Sequence, residues 1–325
     1  MNRSGAQAAE KVPSVEGRPD AARKQDAQET IDPVGLISLL TVYLAYGSTY
    51  LAIRVAVRPG GGFSPFTLGF MRLVLAGVIL LAWGVIRRKR MLPERDEWLI
   101  LIGSGILFWT IANGLVGWAE MRADSGLAAL IVAFTPIWVA FIESLIDRRP
   151  PSLLLLFSLL LGFGGIVLLS VPSLQSGVQA DLYSLIALLA ASCSWGLGSV
   201  LQSRRKVRLS PEVSSGYQQL IGGFGFIISI LLVDDTLPTP TGEAWLAWGY
   251  LVLVGSVLGF TAFTQALKLL PSSVAMTYAY VNPVIAVILG AIILGEEITL
   301  WTFAGASLVL LGVAGVFRER YGGSS

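Results

Sequence analysis

The chain has 325 residues, of which 54% are hydrophobic and only 14% are charged, and its mean hydropathy is +0.71. A soluble domain has roughly 45–50% apolar residues and could not bury this much apolar surface, so the composition excludes a soluble fold. The 23 Lys and Arg residues nearly balance the 21 Asp and Glu residues, which excludes the strongly basic surface typical of nucleic-acid binding.

Two residue types that carry much of protein chemistry are almost missing. The chain has no histidine and a single cysteine, Cys193. The first absence excludes imidazole bases, Ser-His-Asp triads and His zinc sites, and one cysteine cannot form an intrachain disulfide. The sequence also lacks a GxxxxGK[ST] phosphate loop, so an ATP-driven pump would need a separate ATPase subunit. We therefore expect no cofactor, no metal site and no enzymatic activity.

The first 31 residues are rich in Ala, Gln and charged residues with almost no large apolar side chain, which predicts a disordered cytoplasmic tail. Ten apolar segments follow, each close to the ~20 residues that cross a bilayer as a helix. The predicted spans are 34–53, 66–86, 98–118, 124–146, 152–171, 181–201, 213–233, 245–266, 273–294 and 299–317. The sequence thus predicts an all-α integral membrane protein of ten transmembrane helices, with a short cytoplasmic tail at 319–325.

The positions of the basic residues predict the orientation of these helices. With both termini in the cytoplasm, 19 of the 23 Lys and Arg residues fall on the cytoplasmic side, and only Arg54, Arg58 and Arg122 fall outside. The remaining one, Arg72, lies within the second span. Because cytoplasmic loops carry an excess of Lys and Arg, this count predicts a multi-pass protein of the plasma (inner) membrane with cytoplasmic termini.

The two halves of the chain resemble each other, which predicts one five-helix repeat over residues 32–172 and another over 173–318. At a shift near 147 residues, Trp98, Ala119, Ser125, Ala128 and Pro136 match Trp245, Ala266, Ser272, Ala275 and Pro283, while Tyr46-Gly47 matches Trp195-Gly196 at a shift of 149. Since five is odd, the second repeat must enter the membrane from the opposite side. Inverted repeats are typical of secondary transporters, which bind substrate near the midplane between the repeats.

Short motifs along the spans point to a family. They are Tyr46-Gly47-Ser48-Thr49-Tyr50, Phe70-Met71-Arg72, Asn113-Gly114-Leu115, Ser194-Trp195-Gly196, Tyr280-Val281-Asn282-Pro283 and Leu294-Gly295-Glu296. In this order, over residues 34–317, they resemble the EamA-like branch of the drug/metabolite transporter superfamily, although Tyr46 stands where the pattern more often has Trp. The resemblance implies a 5+5 inverted repeat, a central cavity open alternately to each side, and often the export of amino acids or related metabolites.

Polar residues within the spans predict where a substrate binds, because polar groups inside a membrane tend to face a cavity or a partner. The cavity candidates are Tyr46, Arg72, Asn113, Glu120, Trp195, Gln219, Gln265, Tyr280 and Asn282. Arg72 could anchor a substrate carboxylate through its guanidinium, or it could pair with Glu120 or reach the outer headgroups, and both interpretations stay open. Pro136 and Pro283 predict helix kinks that are either gating bends or static features.

The fifth and tenth spans are nearly free of polar residues, since residues 153–161 and 303–317 contain one Ser each. This composition predicts that both helices lie at the periphery and pack through small residues such as Gly162, Gly165, Gly305 and Gly312. A second copy of the chain could bind through these helices to form a homo-oligomer. Beyond that, the expected partners are the lipid bilayer and a small-molecule substrate.

The function predicted from the sequence is a secondary transporter that exports a small metabolite such as an amino acid. An exchanger of phosphorylated or nucleotide sugars, in the same superfamily, would be expected to have several Lys or Arg in the cavity, and the spans offer Arg72 alone. A membrane-embedded enzyme is disfavoured by the missing His and by the lack of clustered carboxylates within a span. A sensor would not explain ten spans in inverted halves.

The orientation is testable with reporter fusions. Fusions at residues 90 and 206 should report a cytoplasmic location, because both positions follow an even number of spans and carry dense positive charge. A fusion at residue 177 should report the outer side. A cytoplasmic signal at residue 177 would contradict the ten-helix topology.

Overall fold

In a computed structural model of the chain, the described residues are 32–57, 62–120, 125–175, 181–205, 207–233, 238–289, 291–292 and 298–322. The predicted tail at 1–31 lies outside this set. Every described element is helical, which confirms the all-α prediction. Nine described helices are long and apolar enough to cross a membrane, and the first helix adds a shorter apolar stretch, Pro33–Thr49.

Each of the ten predicted spans coincides with a helix. The first, second and fifth helices are Pro33–Val57, Pro65–Ile86 and Leu153–Gln175, and the sixth, seventh and tenth are Leu182–Arg204, Pro211–Val233 and Leu300–Tyr321. The third runs through Arg95–Gly105, Ile106–Asn113 and Gly114–Glu120, and the fourth through Ser125–Val132 and Thr135–Asp147. The eighth comprises Gly242–Tyr250, Leu251–Phe260 and Thr261–Leu269, and the ninth comprises Ser272–Ala275 and Tyr278–Leu289.

The helices begin at residues that satisfy free backbone N–H groups. Asp181, Thr241 and Thr299 each accept a hydrogen bond from the backbone N–H three residues later. Proline occupies the first position of the helices that begin at Pro65 and Pro211, where its missing N–H costs no intrahelical bond. These local signals set the helix starts, while the apolar sequence in between sets the length.

Four helices depart from regular α geometry. The third and eighth contain the π-helical segments Ile106–Asn113 and Leu251–Phe260, whose last residues are 147 positions apart in the sequence. The fourth and ninth helices are interrupted between their two segments. Such departures are frequent at functional sites, because they redirect side chains and release backbone polar groups.

The two prolines predicted to kink helices lie in the interrupted ones. Pro136 stands in the first turn of Thr135–Asp147, directly after the interruption of the fourth helix. Pro283 lies inside Tyr278–Leu289, where it cannot donate a hydrogen bond to the carbonyl of Ala279. Whether either proline takes part in gating stays a prediction.

The helices pack in pairs, the second against the seventh and the fifth against the tenth. In the latter pair the backbones meet at glycines: a Cβ on Gly165 would lie 2.6 Å from the carbonyl oxygen of Gly305, and one on Gly312 would lie 2.6 Å from the backbone nitrogen of Gly162. These glycines therefore allow the backbones of two helices of the same chain to lie in close contact. A homo-oligomer through these helices stays a prediction, and it would use faces of the two helices other than the one that carries these glycines.

A buried carboxylate fixes the loops at one end of the bundle. Glu97, only 3% exposed, accepts hydrogen bonds from the backbone N–H groups of Glu94 at 2.8 Å and Arg208 at 2.6 Å, and it pairs with Arg90. The bond to Arg208 links the first turn of the third helix to the loop before the seventh. The sequence alone gave no reason to single out this residue.

We expect Glu97→Ala to lower the free energy of unfolding by about 1–3 kcal/mol, because two backbone donors and a guanidinium would lose a buried acceptor. The neighbouring acid Asp96 is exposed, so Asp96→Ala is the matched control. Thermal melting of both variants in detergent measures the difference. Equal melting temperatures for the two variants would show that the Glu97 contacts contribute nothing.

Candidate functional site

A cavity of about 310 Å³ lies among seven of the ten helices. It extends to Val57, the last residue of the first helix, and to Pro65, the first residue of the second. We call this end of the bundle the open end, and the end where the first helix begins the closed end. The fifth and tenth helices contribute no described lining residue, as their apolar composition predicts. The polar and aromatic lining residues are Tyr46, Thr49, Arg72, Trp109, Asn113, Thr135, Ser192, Trp195, Phe226, Tyr278 and Asn282.

Arg72 is held in place from two sides. Its Nε donates a hydrogen bond to the Ser256 hydroxyl at 2.7 Å, and its Cζ lies 5.5 Å from the ring centroid of Trp109. Within the described side chains, Arg72 takes part in none of the ion pairs. The bond to Ser256 uses only Nε, and the two terminal NH₂ groups of a guanidinium can bind a carboxylate in bidentate fashion.

Ser256 connects Arg72 to a second predicted candidate. Its carbonyl accepts a hydrogen bond at 3.2 Å from Nε2 of Gln219, a fully buried side chain. Gln219 stands 147 residues after Arg72, the shift of the predicted repeat, and both side chains bind the same residue of the eighth helix. Ser256 itself is fully buried within the π segment Leu251–Phe260. The contact therefore joins the second, seventh and eighth helices.

Four side chains that line the cavity have a buried polar atom with no hydrogen-bond partner among the described residues. These atoms are the Tyr46 hydroxyl, Nε1 of Trp109, Nε1 of Trp195 and Oδ1 of Asn282. A buried polar atom left unpaired costs roughly 1–3 kcal/mol, so nearly all such atoms in proteins find a partner. Both indole nitrogens are donors and Oδ1 is an acceptor, so a ligand with acceptor and donor groups would satisfy them together.

Aromatic rings close the cavity toward the closed end. We call Tyr46, Phe108, Trp195, Phe263 and Tyr278 the aromatic floor. Phe263 is fully buried, and its ring centroid lies 5.4 Å from Tyr278, 5.7 Å from Phe108 and from Trp195, and 6.4 Å from Tyr46. The contacts with Tyr278 and Phe108 are edge-to-face, an arrangement that stabilises beyond the area it buries.

A polar contact lies beyond the aromatic floor. The hydroxyls of Tyr43 and Thr277 are 2.5 Å apart and join the first helix to the interruption in the ninth. The described cavity is thus closed on one side by five rings and a hydrogen bond.

The structure brings together five of the nine predicted cavity residues, namely Tyr46, Arg72, Asn113, Trp195 and Asn282. Asn113 has a second role, because its Nδ2 donates to the Phe108 carbonyl at 2.7 Å within the π segment. The side chain of Glu120 lies outside the described residues, and with it the predicted ion pair to Arg72.

The other three candidates lie elsewhere. Tyr280 packs the ninth helix against the fifth: it is fully buried, its hydroxyl donates to the Leu159 carbonyl at 3.1 Å, and it lies against Gly162. The expected place of Tyr280 in the cavity lining is therefore corrected, because Tyr278 and Asn282 are four residues apart on one helical face and Tyr280 lies on the opposite one. Gln219 is hydrogen-bonded behind the lining, and Gln265 lies on the last segment of the eighth helix, outside the lining.

Several site residues were not among the predicted ones. Trp109 and Tyr278 line the cavity, Phe263 closes it, and Ser256 holds Arg72. Aromatic residues in a membrane span are as common in lipid-facing and packed positions as in cavities, so the sequence could not select these. A signal existed for Ser256, which stands 147 residues after Trp109.

These observations define a class: a multi-pass helical membrane protein with a central cavity that polar and aromatic side chains line. The family model described as "EamA-like transporter family" matches residues 33–171 and, a second time, residues 182–318. The chain therefore belongs to the EamA-like transporter family, which confirms the resemblance carried by the motifs. Membership also favours a transporter over an enzyme.

Known proteins of similar sequence carry transporter names. "Uncharacterized inner membrane transporter YedA" of Escherichia coli K12 is 29% identical over 286 residues, covering 87% of this chain and 90% of YedA. "Uncharacterized transporter sll0355" of Synechocystis is 25% identical over 297 residues, covering 85% of this chain and 88% of that protein. A solved crystal structure superposes with a TM-score of 0.76 at 19% identity, covering 88% of this chain and 96% of the other, and shows the fold alone.

Cysteine labelling tests the cavity. In a Cys193→Ser background, Val116→Cys and Ala129→Cys should react rapidly with a charged, water-soluble thiol reagent, because both positions line the cavity. Ile166→Cys is the control, since this buried position lies in the core. The rate of mass increase measures the reaction. Labelling of Ile166→Cys as fast as the cavity positions would contradict the assignment of the cavity.

Proposed function

We propose that the chain is a secondary transporter that carries a small metabolite with a carboxylate and a hydrogen-bond donor, such as an amino acid, by alternating access through the central cavity. One observation carries this proposal. A guanidinium and four buried polar atoms without a partner among the described residues surround one cavity. We further propose export as the direction of transport, which rests on the family resemblance.

The chemistry of the lining supports this substrate class. A carboxylate would bind the terminal NH₂ groups of Arg72, with the indole N–H of Trp109 as a neighbouring donor. An ammonium or amine would donate to Oδ1 of Asn282. The faces of Trp195 and Tyr278 would contact an apolar side chain. A cavity of about 310 Å³ lies at the small end of typical ligand pockets, which favours a single small metabolite.

The packing of the helices supports the proposed inverted repeat. The first helix packs against the eighth and ninth, and the sixth packs against the third and fourth, so helices five places apart have equivalent partners. Gly47 brings the first helix close to Ile285 of the ninth, and Gly196 brings the sixth close to Trp138 of the fourth. The two separate matches to the family model point the same way.

Alternating access would require the aromatic floor to separate. Phe263 and the Tyr43–Thr277 hydrogen bond connect the first, eighth and ninth helices at the closed end. Moving the ninth helix against the first would break both contacts and open the cavity on that side. With both termini in the cytoplasm, as we propose, the open end faces outward.

An exchanger of phosphorylated or nucleotide sugars is the second candidate. Phosphate groups carry more charge than a carboxylate and would be expected to bind several cations. Among the described lining residues, Arg72 is the one Lys or Arg. The cavity therefore fits a monoanionic substrate better than a sugar phosphate.

The decisive measurement is flux of labelled amino acids into liposomes that contain the purified chain. We expect Arg72→Ala to leave folding intact and to lower substrate affinity about tenfold or more, since a charge-assisted contact contributes ~1.5–3 kcal/mol. Arg72→Lys should restore only part of the flux, because an ammonium lacks the bidentate fork. Arg208→Ala, at an exposed position, is the control.

Normal flux in a folded Arg72→Ala protein would eliminate the carboxylate anchor. Loss of melting temperature in Arg72→Ala, recovered in Arg72→Ala/Glu120→Ala, would instead identify a structural ion pair with Glu120.

A further inference from the structure

A second cavity, of about 380 Å³, opens at the closed end, where the second helix ends and the seventh begins. Its lining consists of Trp83, Arg87, Lys89 and Glu212. None of these residues lines the central cavity, and neither the proposed transport step nor the family resemblance gives them a role.

The walls of this cavity are firmly held. The Arg87 N–H donates to the Trp83 carbonyl, and the Lys89 N–H donates to the Gly84 carbonyl, both at 2.9 Å. Between them Arg88 adopts a left-handed conformation, with φ at 52°, which turns the chain back toward the seventh helix. The Tyr217 hydroxyl then donates to the Met91 carbonyl at 2.9 Å, tying this turn to the seventh helix.

The charges of this cavity are not used in ion pairs among the described side chains. Nearby Arg90 is paired with Glu94 and Glu97, whereas Arg87, Lys89 and Glu212 appear in none of these pairs. The Arg87 guanidinium lies 4.8 Å from the ring centroid of Trp83, which leaves the edge of the guanidinium for an acceptor. Two cations and one carboxylate thus line the same space.

The rim of the cavity continues into the apolar surface of the bundle. Trp83, Val85 and Ile86 are 48%, 61% and 71% exposed on the last turns of a membrane helix. Tryptophan at the end of such a helix typically lies at the level of the lipid headgroups. A molecule held here would therefore place its polar part in the cavity and its apolar part along the helix, which is the shape of a phospholipid.

We propose that this cavity binds the headgroup of a phosphoethanolamine lipid, with the phosphate between Arg87 and Lys89 and the ammonium on Glu212. Basic pockets between membrane helices are a known way to bind lipid phosphate. The carboxylate selects among headgroups. A phosphoglycerol group would offer Glu212 only neutral hydroxyls in place of an ammonium, and a phosphocholine group has no N–H to donate.

Native mass spectrometry of the detergent-purified full chain tests this proposal. Phosphatidylethanolamine, phosphatidylglycerol and phosphatidylcholine with identical acyl chains are added in equal amounts. We expect one phosphatidylethanolamine to be retained preferentially.

Three variants test the roles of the lining residues. Arg87→Ala/Lys89→Ala should weaken the binding of phosphatidylethanolamine roughly tenfold or more. Glu212→Gln, which keeps both cations, should abolish the preference over phosphatidylglycerol. Arg318→Ala removes an exposed cation at the end of another helix and should change nothing.

Three results would overturn the proposal. They are a preference of the wild-type chain for phosphatidylglycerol, no preference among the three lipids, or an unchanged preference in Glu212→Gln. The same headgroup could belong to a membrane lipid or to a soluble metabolite, and competition with soluble glycerophosphoethanolamine distinguishes the two. If this compound displaces the lipid at equal concentration, the cavity binds a soluble metabolite instead. Since binding is measured without transport, the result is independent of the proposed function of the central cavity.

Discussion

The bilayer interior offers no hydrogen-bond partner. Backbone N–H and C=O groups that are not bonded within a regular helix must therefore find hydrogen bonds elsewhere in the protein or along a cavity. This constraint explains where the helices of this chain are irregular. The π segment Ile106–Asn113 supplies Trp109 and Asn113 to the cavity, and the interruptions of the fourth and ninth helices are flanked by the lining residues Thr135 and Tyr278. The fifth and tenth helices, which contribute no described lining residue, are continuous.

The same constraint governs the polar side chains. Burying a guanidinium inside a membrane costs free energy unless the group has partners. Arg72 has two: it donates a hydrogen bond to the Ser256 hydroxyl, and its guanidinium lies over the ring of Trp109. Ser256 in turn accepts a hydrogen bond from Gln219, so the polar residues of three helices form one connected group. The cost of placing a cation within the bundle is thereby offset at one point, next to the cavity, while the surface toward the lipid stays apolar.

The sequence was sufficient to place the helices, because hydropathy and the length of a bilayer span determine their positions. It did not give their limits: the last helix runs to Tyr321, into the predicted tail at 319–325. It also indicated Arg72 and Asn282, since polar residues in an apolar span are few. It failed where a residue type has two common roles. Tyr280 and Tyr278 differ only in helical phase, and that phase depends on the interruption at Met276 and Thr277, which no residue pattern marked. Phe263 has the composition of any core residue, and its closing position follows from packing alone.

Phe263, the central ring of the aromatic floor, has no aromatic counterpart in the predicted first repeat. Phe260 and Phe263 stand 147 residues after Asn113 and Val116, so large rings on the eighth helix correspond to an amide and a small aliphatic group on the third. In the alternating access that we propose, opening the closed end would separate the ring contacts that Phe263 makes with Tyr46 and Tyr278. In that mechanism the two conformations would therefore be unequal in free energy, and the unloaded protein would favour the one in which the binding site is reached from the open end. A ligand that binds from the other side would bind only the molecules that have already changed conformation. Its apparent Kd would equal the intrinsic Kd divided by the fraction of such molecules, so its apparent affinity would be lower.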